Sequence, residues 1–131
     1  MEYVAIYNSG EALKSRNKLL NPWLRYDLSK ISGRSGSKDA IDRIANEVIF
    51  LNNGLEDLMV VVYMIDRMYQ CIKLKLCDEN VIYDNVCRFT EGLVSLYSVP
   101  IEVVRKRYFM PDFGNSVKNL YSECKRWEKV H

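Results

Sequence analysis

A regular spacing of apolar residues between Ile41 and Leu76 constrains the fold of this 131-residue chain more than any other feature. The spacing alternates steps of three and four residues over five heptads, which is the period of an α-helix. It predicts an all-α fold, in which five or six helices form a compact bundle around one long central helix. The positions that define the spacing are Ile41, Ile44, Val48, Leu51, Leu55, Leu58, Val62, Ile65, Tyr69, Ile72 and Leu76.

The predicted central helix contains one weak point, Asn52-Asn53-Gly54. Glycine inside a helix costs about 1 kcal/mol relative to alanine, and an unbroken helix from Ile41 to Leu76 would be about 54 Å long. Because the apolar spacing continues in phase across this point, the sequence favours a continuous helix, and a break is the alternative.

From Leu58 to Ile65 every residue is apolar, which predicts that other helices surround this stretch. Residues 60–63 also favour β structure. The helical spacing on both sides favours a helix over a buried strand.

Capping and turn residues predict the other helices. Asp78 can cap a second helix that extends to about Tyr97, antiparallel to the central helix because the connection between them is short. Ser98-Val99-Pro100 is predicted to end that helix and start another. The remaining elements are helices at about 101–109, 116–128, 11–20 and 22–31, a flexible linker at 32–37 and a short extended arm at 3–7.

Composition indicates a single domain over residues 1–131. Apolar residues make up 48% of the chain and charged residues 27%, which are values typical of globular proteins. The chain lacks a membrane-length apolar run and a secretory signal, so we expect a cytoplasmic protein, or one of the host cytosol or nucleus if it is viral, without a membrane partner. In that environment all four cysteines, Cys71, Cys77, Cys87 and Cys124, are expected to be reduced core residues.

Residue types suited to catalysis are scarce. The only histidine is His131, the last residue, and the four cysteines lack the close spacing of a zinc site. The 32–37 linker lacks the Gly-Lys-Ser/Thr ending of a phosphate-binding loop. We therefore expect a protein that is not an enzyme and that has neither a metal site nor a cofactor.

Carboxylates on the predicted helices are interpreted as structural or solvated. Glu47, Asp57 and Glu91 lie off the apolar positions, so they are predicted to be solvated. Asp66 follows the apolar stretch and is expected to form an ion pair with Arg67 or a distant lysine.

Basic residues are concentrated near the carboxy end, where positions 105–131 contain seven Lys or Arg and three Asp or Glu. Such a rim can steer an acidic protein partner. We therefore expect a small regulatory module that acts by occupying a partner's surface, and the compact size suits a viral or phage accessory factor. The predicted partner-binding residues are Arg105, Lys106, Arg107, Tyr108, Lys118, Lys125 and Arg126.

Two alternatives use the same elements. The last two helices, joined by a Pro/Gly turn, could form a helix-turn-helix that binds nucleic acid, although the turn at 110–115 is longer than usual. The apolar face of the long helix could also pair two copies of the chain into a homodimer.

Overall fold

The computed structural model describes residues 10–25 and 37–130, and every regular element in them is helical. This confirms the all-α prediction. The predicted arm at 3–7, residues 32–36 of the linker predicted at 32–37, the end of the 22–31 helix and His131 lie outside the described residues. The elements are α1 Gly10–Leu20, a 3-10 helix Asn21–Arg25, α2 Ser37–Asn46, a π-helix Glu47–Leu51, α3 Leu55–Lys73, α4 Glu79–Arg107 and α5 Asn115–Val130.

The prediction of one long central helix is wrong. The segments 38–51 and 55–73 are separate and bent by 103° relative to each other. The first segment packs against α4, whereas α3 packs against α1 and α5. Because of the bend, the two segments pack against different helices. A straight helix of about 54 Å would extend beyond a small domain.

The apolar spacing from Ile41 to Leu76 does not mark a single face. Leu51 and Leu76 are 75% and 76% exposed, whereas Leu58 and Ile65 are fully buried in the core. The proposed homodimer face therefore does not exist as one surface. Its central residues are already covered by other helices of the same chain.

The bend depends on a close approach at Gly54. A Cβ atom on Gly54 would lie 2.5 Å from the carbonyl oxygen of Val48, and the Gly54 amide donates a hydrogen bond to the same oxygen at 3.0 Å. The preceding Asn53 has a left-handed backbone, with φ of 61°, a conformation that asparagine tolerates better than most residues.

Gly54→Ala is expected to lower the free energy of unfolding by about 2 kcal/mol, because the new methyl group must displace backbone atoms. Gly92→Ala is the matched control: Gly92 lies within α4 and its Cβ would meet no atom within 4 Å, so alanine should stabilise the helix by about 1 kcal/mol. Urea unfolding of both variants measures the difference. Shifts of the same sign in the two variants would contradict the role of Gly54.

α4 begins as predicted, and it is kinked next to the predicted break at Ser98-Val99-Pro100. The Asp78 side chain accepts a hydrogen bond from the Asn80 amide at 3.0 Å. Pro100 lies inside the helix, and Tyr97 departs from helical geometry with φ of −117° and ψ of 16°. Because proline lacks an amide hydrogen and crowds the preceding turn, it kinks the helix. The two predicted helices are thus one kinked helix.

α4 and α5 form an antiparallel hairpin. The order of contacts shows this, because residues early in α4 contact residues late in α5. A helix-turn-helix reader instead crosses its helices at about 90–120°, so the hairpin departs from the nucleic-acid alternative. The contacting pairs are Asn80 with Trp127, Cys87 with Cys124, Glu91 with Lys125, and Arg105 with Asn115.

The cysteines are paired, and the prediction that they are reduced is wrong. Cys71 pairs with Cys77, and Cys87 pairs with Cys124. Both pairs have a Cα–Cα distance of 5.5 Å, within the range that a disulfide requires. The Cys87–Cys124 disulfide lies in the core and joins α4 to α5. The spacing of these two cysteines in the sequence does not predict that they are paired.

Candidate functional site

The seven predicted partner-binding residues do not form one surface. Residues 105–108 end α4 beside the turn, whereas Lys125 and Arg126 lie far along α5. Arg126 shares a hollow with Glu79 and Tyr83 at the beginning of α4. About 16 Å of helix separates Asn115 from Arg126, so the basic cluster is divided between the two ends of the hairpin.

Arg105 holds the turn together. Its Nε donates to the Phe113 carbonyl at 2.5 Å, and Nη2 donates to Asn115 Oδ1 at 2.5 Å. Its Nη1 lies 3.6 Å from the Glu102 carboxylate, and the side chain is only 14% exposed. A guanidinium with these partners stabilises the turn and is not free to meet another molecule.

The other basic residues are mostly paired within the chain. Lys125 Nζ lies 3.5 Å from Glu91, and the Glu91 carboxylate holds the pKa of Lys125 above its ordinary value. Arg126 lies 2.5 Å from Glu123, and the Arg107 guanidinium stacks 4.8 Å from the Phe50 ring. Lys106 and Lys118 are exposed and have no ion pair within residues 10–25 and 37–130, and Tyr108 is 43% exposed.

Three carboxylates differ from their predicted environments. Asp57 is 14% exposed and ties α1 to α3, because it accepts from Ser15 Oγ at 2.8 Å and lies 3.2 Å from Lys18 Nζ. Glu91 is paired with Lys125 rather than solvated. Asp66 accepts from a hydroxyl, Ser116 Oγ at 2.6 Å, rather than from a cation.

An apolar groove lies between α3 and the turn that joins α4 to α5. Its volume is about 410 Å³, within the range of small ligand-binding clefts. We call it the turn groove. It is lined by Met59, Val62, Tyr63 and Asp66 of α3 and by Met110, Asp112, Phe113, Gly114 and Ser116 of the turn and α5.

Gly114 shapes one wall of the turn groove. Its φ is 81°, and a Cβ at this position would lie 2.6 Å from Ile101 Cγ2. Glycine therefore allows the turn to lie directly against α4. Together with Arg105, it fixes the groove wall relative to the core.

Phe109 directly precedes Met110, which lines the turn groove, and its own exposure and backbone conformation are unusual. It is 90% exposed, and its φ is 55°. The Met110 amide donates to the Arg105 carbonyl at 3.0 Å, which places Phe109 at the left-handed position after a helix that glycine usually occupies. A residue with a side chain costs about 1 kcal/mol or more in this conformation.

An aromatic and a methionine side chain that line the turn groove are also partly exposed. Tyr63 is 55% exposed and Met110 is 39% exposed. Sequence reasoning identified Tyr108 but treated Phe109 and Met110 only as a helix end and a turn. The sequence feature that could have identified them is the pair Phe109-Met110 directly after a helix, where glycine is the usual residue.

Comparisons with protein-family models, curated proteins and solved structures found no match for this chain. Within the described ranges, no single helix is long and apolar enough to span a membrane, although segments 38–51 and 55–73 meet the length and composition criteria as a bent pair. The same residues contain no group of three or more His, Cys, Asp or Glu that could hold a metal ion. The turn groove and Phe109 are therefore interpreted from their own geometry.

Proposed function

We propose that the protein is a non-enzymatic binding module that recognises another protein through the turn groove and Phe109. This keeps the functional class expected from the sequence and moves the binding surface away from the basic residues. The module acts by occupancy, because the surface of the partner that binds in the groove is no longer accessible to other molecules.

The observation that supports this proposal is the combination of strain and exposure at Phe109. A buried aromatic residue would gain free energy from packing, but a side chain that is 90% exposed gains little. Its left-handed backbone adds a further cost to folding. Aromatic residues are enriched in the surfaces through which proteins bind one another, so burial of Phe109 by a bound partner would offset these costs.

The groove supplies the surroundings that such an anchor needs. Met59 and Met110 line it, and methionine side chains adapt to the shape of an incoming group. When a side chain of the partner docks in the groove, the apolar wall excludes water around it. This exclusion of water strengthens the neighbouring contacts between the two proteins.

Phe109→Gly is expected to raise the free energy of unfolding by about 1 kcal/mol, because glycine has no side-chain penalty at this backbone conformation. The same substitution should weaken partner binding by about thirtyfold, as expected for an aromatic residue worth about 2 kcal/mol at an interface. Urea unfolding measures the first effect. Titration with helical peptides selected on the full chain from a display library measures the second.

Lys75→Gly is the matched control. Lys75 also has a left-handed backbone after a helix, with φ of 58°, and the Leu76 amide donates to the Cys71 carbonyl at 3.0 Å. Glycine here should give a similar stabilisation and leave peptide binding unchanged. If no selected peptide distinguishes the Phe109 variant from the parent protein, the proposed function is wrong.

Nucleic-acid binding stays a prediction from the sequence. Of its basic residues, Arg105 is committed to the turn, and Lys125 and Arg126 are paired with carboxylates. Fewer free cations mean fewer phosphate contacts. The described contacts therefore give the groove-binding function more support.

A further inference from the structure

We infer that the turn groove receives an amphipathic helical segment that presents a bulky apolar side chain and, three or four residues away, a lysine or arginine. This inference rests on the proposed function and specifies the chemistry of the partner. It differs from the expectation drawn from the sequence, in which a basic surface of this protein would meet an acidic partner.

The charge of the groove indicates a basic partner. Asp66 and Asp112 line it, and no lysine or arginine does. Within residues 10–25 and 37–130 neither carboxylate forms an ion pair. Asp66 accepts from the Ser116 hydroxyl at 2.6 Å, and Asp112 accepts from the Asn115 side-chain amide at 3.3 Å.

Two arginines on the elements that form the groove make contacts other than with Asp66 or Asp112. Arg105 donates to the Phe113 carbonyl and to Asn115 Oδ1. Arg67 lies 5.1 Å from the centre of the Tyr63 ring and does not line the groove. An uncharged partner that covers the groove would remove water from two carboxylates without replacing it, which is costly. A partner with a cation avoids that cost.

The arrangement of the α3 side of the groove indicates the spacing within the partner. Met59, Val62, Tyr63 and Asp66 follow the i, i+3, i+4, i+7 pattern of one helix face. The apolar positions come first, and the carboxylate lies about one turn further along the axis. A helix lying along α3 would match this order with an apolar residue and a cation one turn apart.

A helical partner fits better than an extended one. Extended peptides usually bind by adding a strand to the edge of a sheet. The part of the chain that the structure describes has no strand to which one could be added. The groove walls are a helix and a turn, which suit the helix-in-groove mode.

The test is a selection on the full-length protein from a display library of helical 20-residue peptides with randomised surface positions. We expect the recovered peptides to share an apolar residue and a lysine or arginine three or four positions apart. The variant that combines Asp66→Asn with Asp112→Asn should bind them about tenfold more weakly, as expected for the loss of charge pairs worth about 1.4 kcal/mol. Asp84→Asn, an exposed position on α4, is the control and should leave affinity unchanged.

The outcomes separate this inference from the proposed function. Peptides that require Phe109 but lack a cation, and that bind the double Asn variant as tightly as the parent, would overturn the inference and leave the function intact. A selection without any peptide that requires Phe109 would overturn both. Sedimentation showing a dimer that Phe109→Gly dissociates would identify a second copy of this chain as the occupant and overturn the inference.

Discussion

Removal of the Cys87–Cys124 disulfide is expected to lower the free energy of unfolding by about 4 kcal/mol. The disulfide joins residues 37 apart in sequence, so in the unfolded chain it closes a long loop and restricts many conformations. Both cysteines are buried, and the variant that combines Cys87→Ala with Cys124→Ala removes the cross-link without burying a polar group. Guanidinium unfolding under non-reducing conditions measures the change.

The Cys71–Cys77 disulfide provides the comparison for this prediction. Cys71 and Cys77 are six residues apart, so their replacement by alanine should cost about 2 kcal/mol by the same relation. Equal effects of the two double variants would contradict the loop-length argument. Four titratable thiols in the untreated protein would contradict the pairing itself.

Tyr97→Phe is expected to lower the free energy of unfolding by about 2–3 kcal/mol, because it removes two buried hydrogen bonds. The Tyr97 hydroxyl donates to the Leu19 carbonyl at 2.5 Å and accepts from the Trp23 indole nitrogen at 2.9 Å. The residue is 1% exposed. Tyr63→Phe is the control, since Tyr63 is largely exposed, and it should change stability little. Urea unfolding near pH 7 compares the two variants.

The pH dependence gives the Tyr97 prediction a second readout. Burial raises the pKa of Tyr97 to about 12, against a smaller lowering by the hydrogen bond from Trp23. Since the folded pKa lies above the ordinary value of about 10, this stabilising contribution is complete below pH 10 and is lost as pH rises towards 12. The parent protein should lose stability over this interval more steeply than Tyr97→Phe. Parallel curves would show that Tyr97 ionises as freely in the folded state as in the unfolded state.

The disulfides also bear on where the protein works. Disulfides persist mainly in oxidising compartments, whereas cytosolic thiols are usually kept reduced. The cytoplasmic location expected from the sequence depended on signals that the chain lacks, and the two cross-links favour an oxidising environment. Because the structure does not itself test where the protein works, its location stays a prediction.

Local features of the sequence predicted the helices well. The Asp78 cap and the apolar spacing placed the beginning of α4 and most of α3 correctly. The same spacing could not reveal the bend at Asn53-Gly54, because a periodic pattern reports which residues are buried and not the direction in which the chain continues. The bend depends on the contact between Gly54 and Val48, which exists only in the folded backbone.

The candidate site was predicted poorly, and the reason is physical. Basic residue types suggested a binding surface, but Arg105 makes its hydrogen bonds within the turn. Conversely, the turn groove is formed by α3 and by residues about fifty positions later. Such a surface depends on how helices pack, as does the pairing of Cys87 with Cys124, and neither is encoded in short-range spacing.

The antiparallel course of α5 determines where a label can be attached to the protein for binding measurements. The helix starts beside the turn groove and extends to the opposite end of α4, where the Trp127 indole donates to Asn80 Oδ1 at 3.0 Å. Its last residues therefore lie about 20 Å along the axis from Ser116. A fluorophore or biotin attached to the exposed Lys129 would leave the groove and Phe109 accessible, whereas the same label on Lys106 would lie three residues from Phe109.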